Sequence, residues 1–423
     1  MRGLFNLRFE ISKEEPLTPT LSPEYRGEGV RERSSMRLLP WEYGVRNLGR
    51  SPMRLTLSVA GGALVVLLVL AAGAFVRGME KSLRVSGSEA NVILLGAGSE
   101  ESLERSEIVP SAGQLMLASV PGIKERAGVH YVSPEVHLMT ELHEQRDGSP
   151  VPVLLRGVTP QAFLVHSQVR VTEGRTPEPG RDEMIVGRLA YTRMGLPAER
   201  LAIGQTLYFD DRPWTIVGAF EAPSTVMEAE VWCPLSDLQI AARRDNLSCV
   251  VATLGPGAEF ADVQLFTTLR TDLELVAIPE VKYYANLSAF FSPVRAMVWA
   301  TAVLIGMGGL FGGLNTMYAA FASRVRELGA LQAMGYSRLA VVVSLVQESL
   351  LATVAGALCA AAAGLLLLDG LAVRFSMGAF GLVVDAPVLA AGLLAGVVLG
   401  VVGALPPAWR SLRMPITEAL KAA

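Results

Sequence analysis

The sequence predicts a membrane protein of four transmembrane α-helices, one N-terminal and three C-terminal, with a large α+β extracytoplasmic domain inserted between the first and the second. Three observations lead there. The chain is 51% hydrophobic with a mean hydropathy of +0.39, too apolar for an average soluble domain, yet its 18% of charged residues is too many for a chain wholly in lipid. Residues 55–76, 296–323 and 386–409 carry no Asp, Glu, Lys or Arg, and 339–368 carries only Glu348, so each run is long enough for the ~20 residues that cross a bilayer as a helix. Between the first two runs lie about 210 residues of mixed, water-compatible pattern.

Residues 1–35 contain no apolar run that could serve as a signal peptide and little that could form a core. They read either as a disordered cytoplasmic tail or as sequence outside the protein: PLTPTLSPEYRGEG looks like a translated intergenic repeat, and Met36 is the expected start. Residues 36–54 form a cytoplasmic segment and 55–76 the first span, after which GMEKSLRV continues as a polar helix leaving the membrane.

The domain over 77–292 reads as a mixture of strands and short helices. Asn91–Leu95 is a strand; Ser111 to Val120 is a short helix capped by Ser111 and stopped by Pro121-Gly122; HYVSPEVHLMTELHEQRDGSPVPVLLRGV is a pair of strands around a turn. GQTLYFDDRPWTIVGAFEAP alternates like a hairpin with Asp210-Asp211 near its turn. SCVVATL, EFADVQLFTTLRTDL and LELVAI make a strand, helix, strand unit. Cys233 and Cys249 fall in strand-like segments of this exported domain, where a disulfide is permitted. Cys359 lies in a span and reads as a small apolar residue.

Residues 293–423 hold the remaining spans, 296–321, 339–368 and 386–406, and a cytoplasmic C-terminal tail. Glu348 at mid-span costs about 2.5–3.5 kcal/mol, but the leucines and valines around it return roughly 4–8 kcal/mol, so the segment still inserts. As an intramembrane acid it is a functional candidate, with a structural role facing Asn315 or a polar interior favoured. Gly308 and Gly312, Gly309 and Gly313, and the series Gly392, Gly396 and Gly400 recur every four residues, the pattern of a helix-packing face or dimer contact.

Arginine placement orients the chain. Arg46, Arg50 and Arg54 precede the first span, Arg324, Arg326 and Arg338 separate the second from the third, and Arg410, Arg413 and Lys421 follow the fourth; the third loop sets Arg374 against Asp369 and Asp385. Both termini are expected inside and residues from about 78 to 292 outside. Arg77, Lys81 and Arg84 disagree, but long domains translocate largely regardless of charge.

Several chemistries lack their residues. A net charge of -3 and a pI near 6.0 give no basic face for nucleic acid. The chain has no Gly-Lys dipeptide and hence no phosphate loop of the G-x-x-x-x-G-K-[ST] type, and no G-x-S-x-G elbow. His130, His137, His143 and His166 lack zinc-site spacing, and His137 and His143 with Glu141 and Glu144 read as polar positions on a strand pair. No catalytic residue and no metal site are expected.

SRVRELGALQAMGYSR, residues 323–338, is a charged segment between two apolar runs. As a helix it places Val325, Leu328, Leu331 and Gly335 on one face, with Arg324, Arg326 and Glu327 at its start and Gly335 as its stop, while Gly329, Ala330 and Ala333 keep a surface low. Such a helix suits a partner's groove; equally, it suits a connecting loop whose arginines hold topology.

The run LNTMYAAFASRVRELGALQAMGYSRLAVVVSLVQESLL resembles the FtsX-like permease domain of MacB-type ABC transporters through Asn315, Met317, Arg324, Arg326, Glu327, Leu328, Gly329, Leu331, Ala333, Met334, Gly335 and Glu348. The C-terminal PPAWRSLRMPITEAL is similar to the family's closing pattern through Pro407, Ala408, Pro415, Glu418, Ala419 and Leu420, with Ser411 in place of the usual Ala. EGRTPEPGRDEMIVGRLAYTRMGL and IGQTLYFDDRPWTIVGAFEAP resemble the family's periplasmic core domain. Ser323 stands where an acid often precedes the first Arg, and Gln332 where a base is usual.

The resemblance implies a non-catalytic permease subunit of an ABC transporter in the bacterial inner membrane, working with a separate ABC ATPase that binds the ATP and Mg, and with a second permease copy. Residues 323–335 would be the coupling helix, lodged in the ATPase through Arg324, Arg326, Glu327, Leu328, Gly329, Leu331, Ala333, Met334 and Gly335. Export of a lipid, lipoprotein, peptide or drug is the expected activity, with a periplasmic adaptor protein as a further partner and membrane lipid as surroundings. The alternatives are an FtsX-like signalling subunit that activates a cell-wall hydrolase, or a membrane-anchored scaffold with no ATPase.

Overall fold

The computed structural model describes residues 44–46, 49–50, 52–146, 148–375, 378–413 and 415. The segment 1–35 with the expected start at Met36, and Glu418, Ala419 and Leu420 of the closing pattern, lie outside the described residues.

Four helices among the described residues are long and apolar enough to cross a membrane. The first, α1 (Pro52–Ser86), has 35 residues and so a length of ~50 Å, against about 30 Å of hydrocarbon. Its last turns, the predicted GMEKSLRV, therefore stand outside as a stalk. Helix α2 (Glu280–Phe290) brings the chain back and runs almost without a break into α3 (Ser292–Ala322), the second span. The short α4 (Val325–Ala333) follows, then α5 (Arg338–Ala363), extended by a π-helical turn over Gly364–Leu368, and α6 (Ala386–Arg413), which carries through Pro406 and Pro407 beyond the predicted end at 406.

Glycines in α6 set the bundle's closest approaches. A methyl on Gly392 would come within 2.5 Å of Leu70, one on Gly396 within 2.8 Å of the Ala357 methyl, and one on Gly400 would collide with the Thr353 hydroxyl. Such contacts are how helices associate where lipid removes the hydrophobic drive. Helices α1, α5 and α6 thus form the packed part, whereas α3 is peripheral: 6% of its apolar stretch is buried against 28% to 33% in the others.

The inserted domain is built on a mixed sheet. Its strands are β1 (Asn91–Gly96), β4 (Val132–His143), β5 (Pro150–Val158), β6 (Arg170–Gly174), β7 (Glu183–Gly187), β8 (Thr206–Phe209), β9 (Arg212–Glu221), β10 (Val231–Pro234), β11 (Cys249–Thr253) and β12 (Leu275–Pro279); β2 (Glu125–Arg126) and β3 (Val129–His130) form a small separate ladder. The order is β12-β1-β11-β4-β5-β10-β7-β9-β6, with β8 against β4 and β9. β10 with β5 and β7 with β9 are parallel. The apolar runs NVILLG and CVVAT are buried along their whole length, as strands covered on both faces must be, while β9 alternates buried and half-exposed residues.

The β8–β9 hairpin closes with Phe209 opposite Arg212, so Asp210 and Asp211 are a two-residue turn with φ of 47° and 62°, the type I′ geometry whose twist matches the strands. The predicted short helix is present over Ala112–Ser119, but Ser111 caps it without its side chain. The long strand β4 belongs to two lobes: residues 132–135 pair with β11 and 136–143 with β5. A hairpin that periodicity did not indicate, β13 (Ala372–Phe375) with β14 (Gly378–Gly381), folds the loop between α5 and α6 back against the base of the domain.

Candidate functional site

Helix α4 lies at the end of the bundle remote from the outer domain. Its stop is a Schellman motif: Tyr336 N–H donates to the Leu331 carbonyl at 3.2 Å and Gly335 N–H to that of Gln332 at 3.0 Å, with Gly335 at φ 94°, a conformation that favours glycine. Ser337 then caps α5 by accepting from Ala340 N–H at 3.1 Å. Leu328 and Leu331 turn inward onto Phe321, Val341, Leu345 and Ala408. Arg326, Glu327, Ala333 and Met334 face outward. The root of the helix is fastened by charge, since Arg324 Nη1 donates to both Glu348 oxygens at 2.9 Å, with each side chain about one-seventh exposed.

At the opposite end of the bundle a collar joins the spans. Arg77 of α1 donates from Nη2 and Nε to Asp385 Oδ2 at 2.7 and 2.9 Å, and Glu80 of α1 pairs with Arg295 of α3 at 3.3 Å. Phe75 sits edge-on to Phe375 and Phe380 of the hairpin, and Phe375 meets Phe291 at the α2–α3 junction 5.5 Å away.

Above the collar, both stalks enter one buried polar network. Glu280, at the head of α2, accepts from Ser88 N–H just past α1 and from Asn91 Nδ2, both at 2.9 Å. His166 lies between Glu280, 3.8 Å from its Nδ1, and Glu135 of β4, 2.7 Å from its Nε2. Glu135 also accepts from Arg156 Nη1 at 3.0 Å and lies 3.1 Å from His137 Nε2. Arg156 of β5 makes a bidentate pair with Glu230 at 2.7 and 2.8 Å, and Trp232 Nε1 donates to the same carboxylate at 2.8 Å.

These groups are almost fully buried, and burial is the largest influence on each. For Glu135 it is outweighed by the charges of His166 and Arg156 and by hydrogen bonds from both histidines, which hold the carboxyl well below its usual range. Burial likewise pushes Glu230 up, but Arg156 brings it below normal. His166 is raised because Glu135 overcomes its burial; Glu280 is raised by burial itself.

Glu135, His137 and Cys249 bring ligand atoms within 4.8 Å of one another. They do not fit a metal ion, because the Glu135 oxygens already serve Arg156, His137 and His166 and a guanidinium stands where a cation would sit.

The comparisons with known proteins match both halves of the chain. The family model for the MacB-like periplasmic core domain matches residues 55–265, and that for the FtsX-like permease C-terminal domain matches residues 299–416. The chain belongs to the MacB-type, FtsX-like permease family. Similar solved structures include the periplasmic region of MacB from Actinobacillus actinomycetemcomitans (12% identity, TM-score 0.36, covering 48% of this chain and 95% of that one). The extracellular domain of the noncanonic ABC-type transporter YknZ from Gram-positive bacteria is 14% identical, with TM-score 0.34 and coverage of 44% and 99%. A domain of a putative permease protein from Porphyromonas gingivalis is 15% identical, with TM-score 0.32 and coverage of 45% and 90%. The family assignment rests on the two family models and not on these likenesses. No curated protein matches the chain in sequence.

A MacB-type, FtsX-like permease is an ABC-transporter subunit of a generally non-catalytic kind, whose family members work with ABC ATPase partners. Its four spans make this a multi-pass protein of the bacterial inner membrane, with the core domain extracellular.

Within this permease the residues expected to dock the ATPase divide. Arg326, Glu327, Ala333, Met334 and Gly335 are on the surface, whereas Leu328, Gly329 and Leu331 are buried in the chain's own packing and Arg324 pairs with Glu348. Asn315 is exposed on α3 and is not the partner of Glu348. Of the glycines in α3, Gly309 packs on Val65, while a methyl on Gly308, Gly312 or Gly313 would meet nothing within 4 Å. Cys233 and Cys249 are free thiols. β10 and β11 are separated by β4 and β5, which puts them ~14 Å apart at the usual strand spacing, twice the reach of a disulfide. Periodicity missed the network because, apart from the neighbouring pairs Glu135–His137 and Glu230–Trp232, its hydrogen bonds join positions 21 to 192 apart; the available signal was a charge inside an otherwise apolar strand, as in VLLRGV.

Proposed function

We propose that this chain is the permease subunit of an ABC transporter in which a separate ATPase, holding the ATP and Mg, grips the outward face of α4. The observation that carries the reading is the division of α4 itself: Leu328 and Leu331 anchor it, Arg324 ties it to Glu348 in α5, and Arg326, Glu327, Ala333 and Met334 are left outward. A helix so rooted transmits a push from a closing ATPase pair to α5, and the collar at Arg77–Asp385 and Glu80–Arg295 passes it to the stalks. The stalks share the network around Glu280, so the outer domain moves with them. On this reading both termini are cytoplasmic, the exposed face of α3 meets a second permease copy, and the outer domain drives extrusion of a lipid, lipoprotein, peptide or drug, with an adaptor outside.

Co-purification tests it. Glu327→Lys and Met334→Asp alter exposed side chains and should leave insertion intact while reducing recovery of the ATPase with the solubilised permease. Unchanged recovery with both variants, or no ATPase with the parent chain, returns α4 to the status of a connecting loop. Gly329→Trp is the poorer probe, because Gly329 is buried and the variant would disturb the permease itself.

A further inference from the structure

We propose that the cavity where the stalk of α1, the base of the outer domain and the β13–β14 hairpin meet holds a phosphoethanolamine group, supplied by a phospholipid of the leaflet beneath that domain. The cavity encloses about 380 Å³, within the range of small-molecule sites. Its walls come from three parts of the chain: Lys81 and Ser82 of α1, Arg188 and Glu228 of the outer domain, and Asp369 with the chain leading from the hairpin into α6. Its level suits a headgroup. The charge-free run of the first span ends at residue 76, and Lys81 and Ser82 lie ~8–9 Å further along α1 at about 1.5 Å per residue. The headgroup layer is ~5–8 Å deep on each side of the hydrocarbon, so the cavity stands at its outer edge. Asp369 directly follows the π-helical turn that ends the third span, at the same end of the bundle.

The polar groups of the walls are of two kinds. Arg188 Nε donates to Glu228 at 2.9 Å, so these charges satisfy each other. Lys81 and Asp369 have no ion-pair partner among the described residues and do not reach each other across the cavity. Asp369 Oδ1 accepts from Val384 N–H at 2.9 Å, which leaves Oδ2 to accept from a ligand. Ser82 is 3% exposed, and its hydroxyl has no hydrogen-bond partner among the described residues, a costly condition for a buried polar group. A molecule with one anionic and one cationic end meets all three: phosphate oxygens accept from Lys81 and Ser82, and a primary ammonium donates to Asp369. The trimethylated ammonium of choline has no N–H to donate, and a glycerol headgroup has no cation, so the site discriminates among headgroups. A headgroup held there ties stalk, domain base and hairpin together.

Retention of lipid needs no ATPase, so the test is separate from the docking of α4. The full chain, purified in mild detergent, is given an equimolar mixture of phosphatidylethanolamine, phosphatidylglycerol and phosphatidylcholine, and retained lipid is read by native mass spectrometry. Phosphatidylethanolamine should be retained in preference to both. Lys81→Gln and Asp369→Asn change exposed residues, and the second keeps an acceptor for Val384; each removes a hydrogen bond to a charged group and should lower phosphatidylethanolamine retention about tenfold. Ser82→Ala should lower it severalfold. Phosphatidylethanolamine retention left unchanged by any of the three overturns the site. Soluble phosphoethanolamine, titrated by calorimetry, separates the sources. If the parent shows no lipid preference but binds the soluble group, and both charge variants lose that binding, the lipid source is overturned while the ligand chemistry stands. Neither lipid preference nor soluble binding overturns the whole proposal.

Discussion

The protein has two charged centres in apolar surroundings, and they are built differently. The network of Glu135, Arg156, Glu230, His166 and Glu280 in the outer domain is almost fully buried, and each member has several partners from different strands and helices. The Arg324–Glu348 pair at the other end is partly exposed and borders an open groove. A buried multi-partner network is costly to disturb, so it holds the two lobes and both stalks in one register. A partly open pair yields more easily, which suits a joint between a docking helix and a span.

The largest expected effect follows from breaking the outer network. Arg156→Met strands the buried carboxylates of Glu135 and Glu230 and should cost about 3–5 kcal/mol, seen as a lower melting temperature and faster proteolysis of the outer domain. A loss no larger than a surface substitution causes would mean that the network does not hold the lobes.

Acid should separate the two centres next. Glu135 and Glu230 are held below the ordinary carboxyl pKa, so the stability they contribute is present above the unfolded value of about 4.3 and is lost as pH falls through their folded values. Melting of the outer domain should therefore weaken on acidification, less steeply in Glu135→Gln. His166 is raised, so its contribution is complete below about 6.5 and is lost as pH rises through its folded value; His166→Asn should flatten that alkaline side. Parallel curves for parent and variants would show that these groups do not set the pH dependence.

The inner pair is best read through coupling. Arg324→Glu or Glu348→Arg alone sets two like charges side by side and should lower permease-stimulated ATPase activity, and the double exchange, which restores an opposite-charge pair, should recover it. Failure of the double exchange, with normal expression, would show that identity and not pairing matters there. Glu348→Gln retaining coupling would support a structural role for this acid.

Some of this was legible in local pattern. Charge-free runs mark the spans, alternation with Asp210-Asp211 marks the hairpin, and the four-residue spacing of Gly392, Gly396 and Gly400 marks a face that packs. The same spacing in α3 did not distinguish Gly309, where a methyl would run into Val65, from Gly312 and Gly313, where it would meet nothing within 4 Å, because spacing fixes a face and not its neighbour. The apolar stripe of α4 was visible, but not that Leu328 and Leu331 are spent on the chain's own core.

By itself, then, the sequence determined what depends on neighbours a few positions away: helix and strand period, turn chemistry and the helix stop at Gly335. Tertiary structure alone decided which charges meet. Arg77 and Asp385 are 308 positions apart, Asn91 and Glu280 are 189, and Arg156 and Glu230 are 74. A charge inside an apolar strand reveals that it needs a partner, since burial alone would be prohibitive, but the identity of that partner is a property of how strands and spans are laid side by side.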